Sequence, residues 1–247
     1  MELMHLIISA VVNAALAAAS FAAGAVDASG VIGGFILGFL ILFFGGWGSF
    51  AILVAFFVLG SAATRLGYSR KAALGVAQEH KGRRGARHAF ANCGAAAIAA
   101  IISWFYPNAQ WPLAFLAGAF ATALFDTVSS EIGQLYGKHP FLITTFRPVP
   151  VGTDGAVSVE GTAAGLAAGA VLAVIGWLFS FVEPMRPWYS PSGILFVTVG
   201  AFIGTTFESI LGAAGTPRKR LNNELLNFLN TVVGGAAAGL LVYLFGA

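Results

Sequence analysis

Charge is what this sequence has least of. Only 9% of its 247 residues are Asp, Glu, Lys or Arg, against about a quarter in an average soluble domain. A water-soluble globule of this length needs a charged outer surface, and these residues cannot supply one, so a soluble enzyme is excluded. Cysteine is nearly absent: Cys93 alone allows no intrachain disulfide and no cysteine-based metal cluster. No P-loop pattern occurs, so a nucleotide bound here does not follow the usual strand–loop–helix route. No serine–histidine–acid set is apparent either. Disorder is excluded by the opposite property, a hydrophobic content of 58%.

Long apolar runs fill the space that charge leaves. A helix needs about 20 apolar residues to cross a bilayer. Such stretches fall near 4–24, 30–45, 47–64, 89–105, 111–131, 160–182, 192–213 and 224–246. The second is short and glycine-rich, and reads either as a full span or as a re-entrant pair with its neighbour. The expectation is an all-α, polytopic transmembrane helical bundle of seven or eight spans, forming a single domain over 1–247. The Met1–Gly24 run has no basic region ahead of it and is followed at once by further spans, so it reads as the first span rather than a removable leader. Glycines recur four apart within the runs, at Gly34 and Gly38, at Gly161, Gly165 and Gly169, and at Gly200 and Gly204. That spacing lets membrane helices approach closely, within one chain or across a homodimer.

The loops near 65–88, 132–159 and 214–223 carry the charge. With eight spans, twelve of the 13 basic residues share one face and only Arg186 lies on the other. By the positive-inside rule that face is cytoplasmic, and both termini point away from it. The plasma membrane of a bacterium is the expected location.

Ionisable groups inside spans mark functional sites by default. Asp126, Glu131 and Glu208 qualify. Asp126 and Glu131 are five residues apart, so on a regular helix they point about 140° from one another. Either the helix loosens near 129–133, or the two acids contact different partners. A second relation is more suggestive. GAFATALFD (118–126) and GAFIGTTFE (200–208) share Gly-Ala-Phe, then four residues, then Phe and an acid. This reads as a parallel internal repeat that sets Asp126 and Glu208 at similar depth. Paired carboxylates there suit Mg²⁺ together with a substrate phosphate, so Asp126, Glu131 and Glu208 are the expected metal ligands.

The loops add anion-binding chemistry. Lys81, Arg83, Arg84 and Arg87 precede the fourth span, which opens with His88 and Asn92. Loop 134–159 contains Lys138, Thr144, Thr145 and Arg147, then Gly152, Thr153, Asp154 and Gly155 ahead of Ser158, Glu160 and Gly161. Glycine-flanked amides before a helix start make an anion cradle, and Ser158 fits its N-cap. Ser130 shares a helical face with Asp126. Asn223, Asn227 and Asn230 form one stripe of the last helix, beyond Arg218, Lys219 and Arg220.

These motifs resemble a known family. HKGRRGARHAFANCG, FDTVSSEIG, FLITTFRPVPVGTDGAVSVEGT and GTTFESILGA look like four blocks of the integral membrane proteins that include the plastid phytyl-phosphate kinase of vitamin E (tocopherol) synthesis. The DTxxSE and SVEGT blocks are distantly similar to signatures of dolichol kinases and CDP-lipid synthases. The resemblance implies CTP-dependent phosphorylation of an isoprenyl monophosphate to the diphosphate, with Asp126, Glu131 and Arg87 at the reacting groups. One departure is Glu208, where the family pattern carries aspartate. The expected partners are the lipid substrate, a nucleotide and membrane lipids, without nucleic acid. A cytidylyltransferase making a CDP-lipid, or a small transporter or flippase, are the alternatives.

Overall fold

The computed structural model describes residues 2–214 and 222–246, so Arg218, Lys219 and Arg220 lie outside the described residues. The helices are α1 (Glu2–Ala22), α2 (Ala28–Arg65), the short α3 (Tyr68–Ala73), α4 (Ala86–Phe105), α5 (Trp111–Tyr136), α6 (Val159–Val182), α7 (Pro191–Ala214) and α8 (Asn223–Phe245). A 3₁₀ turn at Glu79–Gly82 and two short strands, β1 (Phe141–Leu142) and β2 (Ala156–Val157), complete the chain. The strands pair antiparallel within the loop between α5 and α6.

Seven of these helices are long and apolar enough to cross a membrane. One of them, α2, has 38 residues and a break at Gly46, where φ is 80°. A straight helix of that length would hold its ends about 55 Å apart. Instead, the Arg65 guanidinium at its end donates to the carbonyl of Ala23, just before its start, at 2.9 Å. The two halves, 28–45 and 47–65, therefore run antiparallel and reverse at Gly46. Each is about 27 Å long, close to the hydrocarbon thickness. Among the described residues the helices thus supply eight segments of about membrane-crossing length, the glycine-rich second stretch being one of them.

Gly46 permits the reversal because its left-handed φ suits a residue without Cβ. The turn from α6 into α7 clasps it from outside. Glu183 accepts the N–H groups of Trp47 at 2.9 Å and Gly48 at 3.0 Å, while Arg186 donates to the Phe44 carbonyl at 3.1 Å. An anion thus sits at a helix start and a cation at a helix end, both favourable for the peptide dipoles. Glu183→Ala is expected to lower stability by about 1–3 kcal/mol, since charge-assisted bonds to two amides are lost. A thermal melt of the purified protein in detergent reads this, and an unchanged midpoint would deny the clasp its role.

At the centre, α5 is the most enclosed helix, with Leu113, Leu116, Phe120 and Leu124 fully buried. On α6, Gly161, Gly165 and Gly169 face Ser129, Phe125 and Ala121 of α5, the close approach expected from their spacing. The repeated segments behave as counterparts. Gly118 of α5 and Gly200 of α7 both pack on Gly234 and Ala238 of α8, and Gly204 meets Thr122. The same helical position in each repeat thus lies against one shared neighbour, which carries Asp126 and Glu208 to the same level.

The direction of each pass sorts the ends. His5 contacts the carbonyl of Phe43 at 3.1 Å, and Phe245 meets Phe196, so both termini lie at the end where Gly46 and Arg186 sit. The loops carrying the other described basic residues gather at the opposite end.

Candidate functional site

At that loop-bearing end the helices enclose a cavity of about 1910 Å³. Its walls are the second half of α5, the first turns of α6 and α8 and the last turns of α7. Its rim is the segment before α4 and the loop that carries β1 and β2.

Local sequence explains how each part is held. Arg84 is fixed by its backbone: its N–H donates to Ala25 at 3.0 Å and its carbonyl accepts from Asp27 at 3.2 Å. Asp27 caps α2 by accepting from the Gly30 N–H at 2.8 Å, and it also accepts from Ser29 Oγ at 2.7 Å. These bonds, Ser29's first, hold the Asp27 carboxyl below its ordinary value. Ser29 Oγ in turn accepts the Ala86 N–H at 3.1 Å, so one turn sets the start of both α2 and α4. The Arg84 guanidinium lies over the rings of Phe56 and Phe57, 5.4 and 6.0 Å from their centroids. Burial lowers its pKa from the ordinary value, yet an arginine stays charged at neutral pH. It forms no ion pair among the described residues.

Elsewhere in the lining, the carboxyl groups of Asp126 and Glu208 meet within hydrogen-bonding reach. Asn230 Nδ2 donates to Glu208 Oε2, which ties the pair to α8. Two carboxylates in contact repel unless a proton or a cation lies between them. Among the described residues no lysine or arginine bridges them.

The cavity gathers most of the residues singled out in the sequence. Asp126, Ser130, Arg83, Arg84, Arg87, Gly152, Thr153, Asp154, Gly155, Ser158, Asn223, Asn227 and Glu208 all line it. Ser158 caps α6 as expected, its Oγ accepting the Gly161 N–H at 3.1 Å. Gly152 and Gly155 have φ of 84° and 73°, which forms the tight turn that brings this loop over the cavity.

Other residues lie elsewhere. Lys81, Lys138, Thr144, Thr145 and Arg147 are exposed and outside the lining. Glu160 and Gly161 sit beside it, Gly161 packed on α5. Asn92 is buried and donates to the His88 carbonyl at 3.0 Å, away from this cavity. Glu131 is the clearest departure. It is buried and paired with Lys71 Nζ, so the Asp126–Glu131 pairing does not form. The α5 helix stays continuous, and the two acids take different partners because a regular helix turns them apart. Lys71 also donates to the carbonyls of Thr64 at 2.8 Å and Ala63 at 3.3 Å, filling the open end of α2.

Sequence reasoning missed Lys71 as that partner, and it missed the wall contributed by Gln134, Thr206 and Ser209. Gln134 was findable by helical periodicity, about two turns beyond Asp126, and Ser209 directly follows Glu208. For Lys71 no local signal existed.

Fold and site together define an integral membrane protein with a large cavity, open at one end of the bundle, whose lining includes an acid pair and arginines. The chain belongs to the family described as "Integral membrane protein DUF92", whose model matches residues 11–235. It is 42% identical over 207 residues to the uncharacterized membrane protein sll0875 of Synechocystis, covering 82% of this chain and 77% of that one. It is 38% identical over 219 residues to Protein VTE6, chloroplastic, of Arabidopsis thaliana, covering 86% of this chain and 64% of the relative. It is 34% identical over 242 residues to the uncharacterized membrane protein MJ0933 of Methanocaldococcus jannaschii, covering 98% and 95%. No solved structure matches.

Proposed function

We propose that this protein is a membrane prenyl-phosphate kinase. It transfers the terminal phosphate of CTP, or of another nucleoside triphosphate, to an isoprenyl monophosphate such as phytyl or geranylgeranyl phosphate. The observation that carries this reading is that the Asp126–Glu208 pair and the arginines Arg83, Arg84 and Arg87 line one cavity. The resemblance to the family of the plastid phytyl-phosphate kinase supplies the substrate class. The cavity's position at one end of the bundle favours an interfacial enzyme over a transporter, whose binding residues lie near the midplane. In this reading the cavity faces the cytoplasm, where the nucleotide is.

The chemistry asks little of the protein beyond charge and alignment. An oxygen of the acceptor phosphate attacks the terminal phosphorus of the nucleotide. The new P–O bond forms as the bond to the bridging oxygen breaks, and the nucleoside diphosphate leaves with that oxygen. The acceptor oxygen is already ionised near neutral pH, so no general base is needed. Arg83, Arg84 and Arg87 hold the two anionic groups against their mutual repulsion and stabilise the spread charge of the transition state. Arg84 does so as a planar fork that matches phosphate oxygens. Asn230 orients Glu208.

Asp126 and Glu208 fit Mg²⁺: both are hard oxygen donors, they meet, and no protein cation neutralises them. When bound, Mg²⁺ supplies positive charge to the phosphate oxygens. Glu131, committed to Lys71, is outside this ligand set.

The test uses detergent-purified protein with Mg²⁺, CTP or ATP, and a panel of prenyl monophosphates. Nucleotide and lipid products are read together. CDP with a prenyl diphosphate is the expected pair. Pyrophosphate with a CDP-lipid would move the assignment to cytidylyl transfer at the same site. Neither product from folded protein, alongside an active control enzyme, would overturn the enzymatic reading.

A further inference from the structure

A second cavity, of about 80 Å³ and almost wholly apolar, lies beside the first. It is walled by α1, both halves of α2 and the start of α4. Along the first half of α2 it follows Gly30, Gly34 and Leu37. These lie at i, i+4 and i+7 on one helical stripe, so the groove runs about 10 Å down into the bundle. Phe56 and Phe57 of the second half form its opposite side. Arg84 and His88 line both cavities and so stand at their junction.

That junction has an unusual composition. The Arg84 guanidinium stacks on the aromatic wall of the groove, yet it makes no side-chain hydrogen bond and no ion pair among the described residues. A guanidinium with free N–H donors at the edge of an apolar groove suits an anion carried on an apolar chain. The groove also meets the lipid. Gly34 is exposed, and a Cβ placed there would meet nothing within 4 Å. In α1, the helix covering that side, only 11% of the residues in the most apolar stretch are buried, so most of its surface meets lipid.

We infer that this groove holds the phosphate-proximal end of the acceptor's apolar tail, the remainder lying in the bilayer, with the phosphate itself at Arg84, in the lining of the larger cavity that also carries the acid pair. The inference rests on the kinase reading and assigns the acceptor to a particular side of the molecule. The tail enters laterally from the bilayer between α1 and α2, and the nucleotide enters from the open end.

Gly34 makes a clean test, because it lines the groove and a Cβ there meets no protein atom within 4 Å. Wild type and Gly34→Phe are compared with a five-carbon and a twenty-carbon prenyl phosphate. The variant is expected to lose at least about tenfold in kcat/KM for the long acceptor, mainly through KM, because apolar contact is lost along the tail. The ratio of long-chain to short-chain kcat/KM falls accordingly. Ile98→Phe, a lipid-facing change on α4 outside both cavities, keeps the wild-type ratio. An unchanged ratio in Gly34→Phe would overturn the assignment. So would a fall produced instead by Ala163→Phe, where the larger cavity reaches α6.

If wild type turns over no prenyl phosphate at all, the kinase reading fails first, and a binding experiment still decides the groove. A prenyl phosphate bearing a diazirine on its tail is photolysed with the wild-type protein. Labelling of segments 30–37 and 89–93, competed by unlabelled prenyl phosphate, supports the groove. Labelling spread over lipid-facing helices without competition would overturn it.

Discussion

Asp126→Asn and Glu208→Gln are each expected to reduce prenyl-phosphate turnover by about 10²–10³-fold or more, the scale of losing one preorganised electrostatic group in a closed site. Both changes keep shape and remove only charge, so packing against α8 is preserved. The structure supplies a control that a merely structural role would fail. The two carboxyl groups meet within hydrogen-bonding reach, and an amide at either position keeps a hydrogen-bonding group there while removing like-charge repulsion. The thermal midpoint should therefore hold or rise while turnover is lost. Chelation should abolish wild-type activity, with Mg²⁺ restoring it, and the variants should need more Mg²⁺ for whatever activity remains. Wild-type-like turnover in either variant would remove the acid pair from the mechanism. Loss of activity together with a collapsed midpoint would assign the pair to folding.

The second large effect concerns Glu131. Glu131→Leu should destabilise the protein by about 3–5 kcal/mol, because it strands the Lys71 ammonium in a fully buried position. Lys71→Met should behave similarly, leaving Glu131 without its partner. The double change Lys71→Met with Glu131→Leu replaces both charges by apolar groups of similar size, and much of the stability should return. Turnover separates the roles. If Glu131 only anchors the segment between α2 and α4, which carries Arg83 and Arg84, activity returns with stability. A double variant that is stable yet inactive would restore Glu131 to the site. Thermal midpoints and product formation, measured on all four proteins, complete the cycle.

Much of the architecture was legible because a membrane imposes a coarse code. A bilayer demands about 20 apolar residues per pass and excludes unpaired backbone. Span positions, the common face of the basic loops and the four-residue glycine spacing could therefore be read one residue type at a time. Helix geometry turns Asp126 and Glu131 apart, yet it left open whether the helix loosens to bring both to one metal, and the pairing of Glu131 with Lys71 decides against it. The likeness of 118–126 to 200–208 drew attention to Glu208, and parallel helices packed on one neighbour bring such equivalent positions together. The loop residues were less legible. Thr153 and Ser158 line the cavity while Thr144 and Arg147 point outward, a difference set by the turns at Gly152 and Gly155.

By itself, then, the sequence determined an all-helical membrane protein, its spans, the face that gathers its charge, and the acids that stand at unusual depth. These follow from hydropathy and helical period, which act over one or two turns. Only the tertiary structure decided that α2 folds back at Gly46, that Lys71 claims Glu131, that Asp126 meets Glu208, and that Arg84 stands between a polar cavity and an apolar groove. Each of these joins residues far apart in the chain. Such pairings depend on how whole helices pack, and a local pattern carries no information about which distant surface will face it.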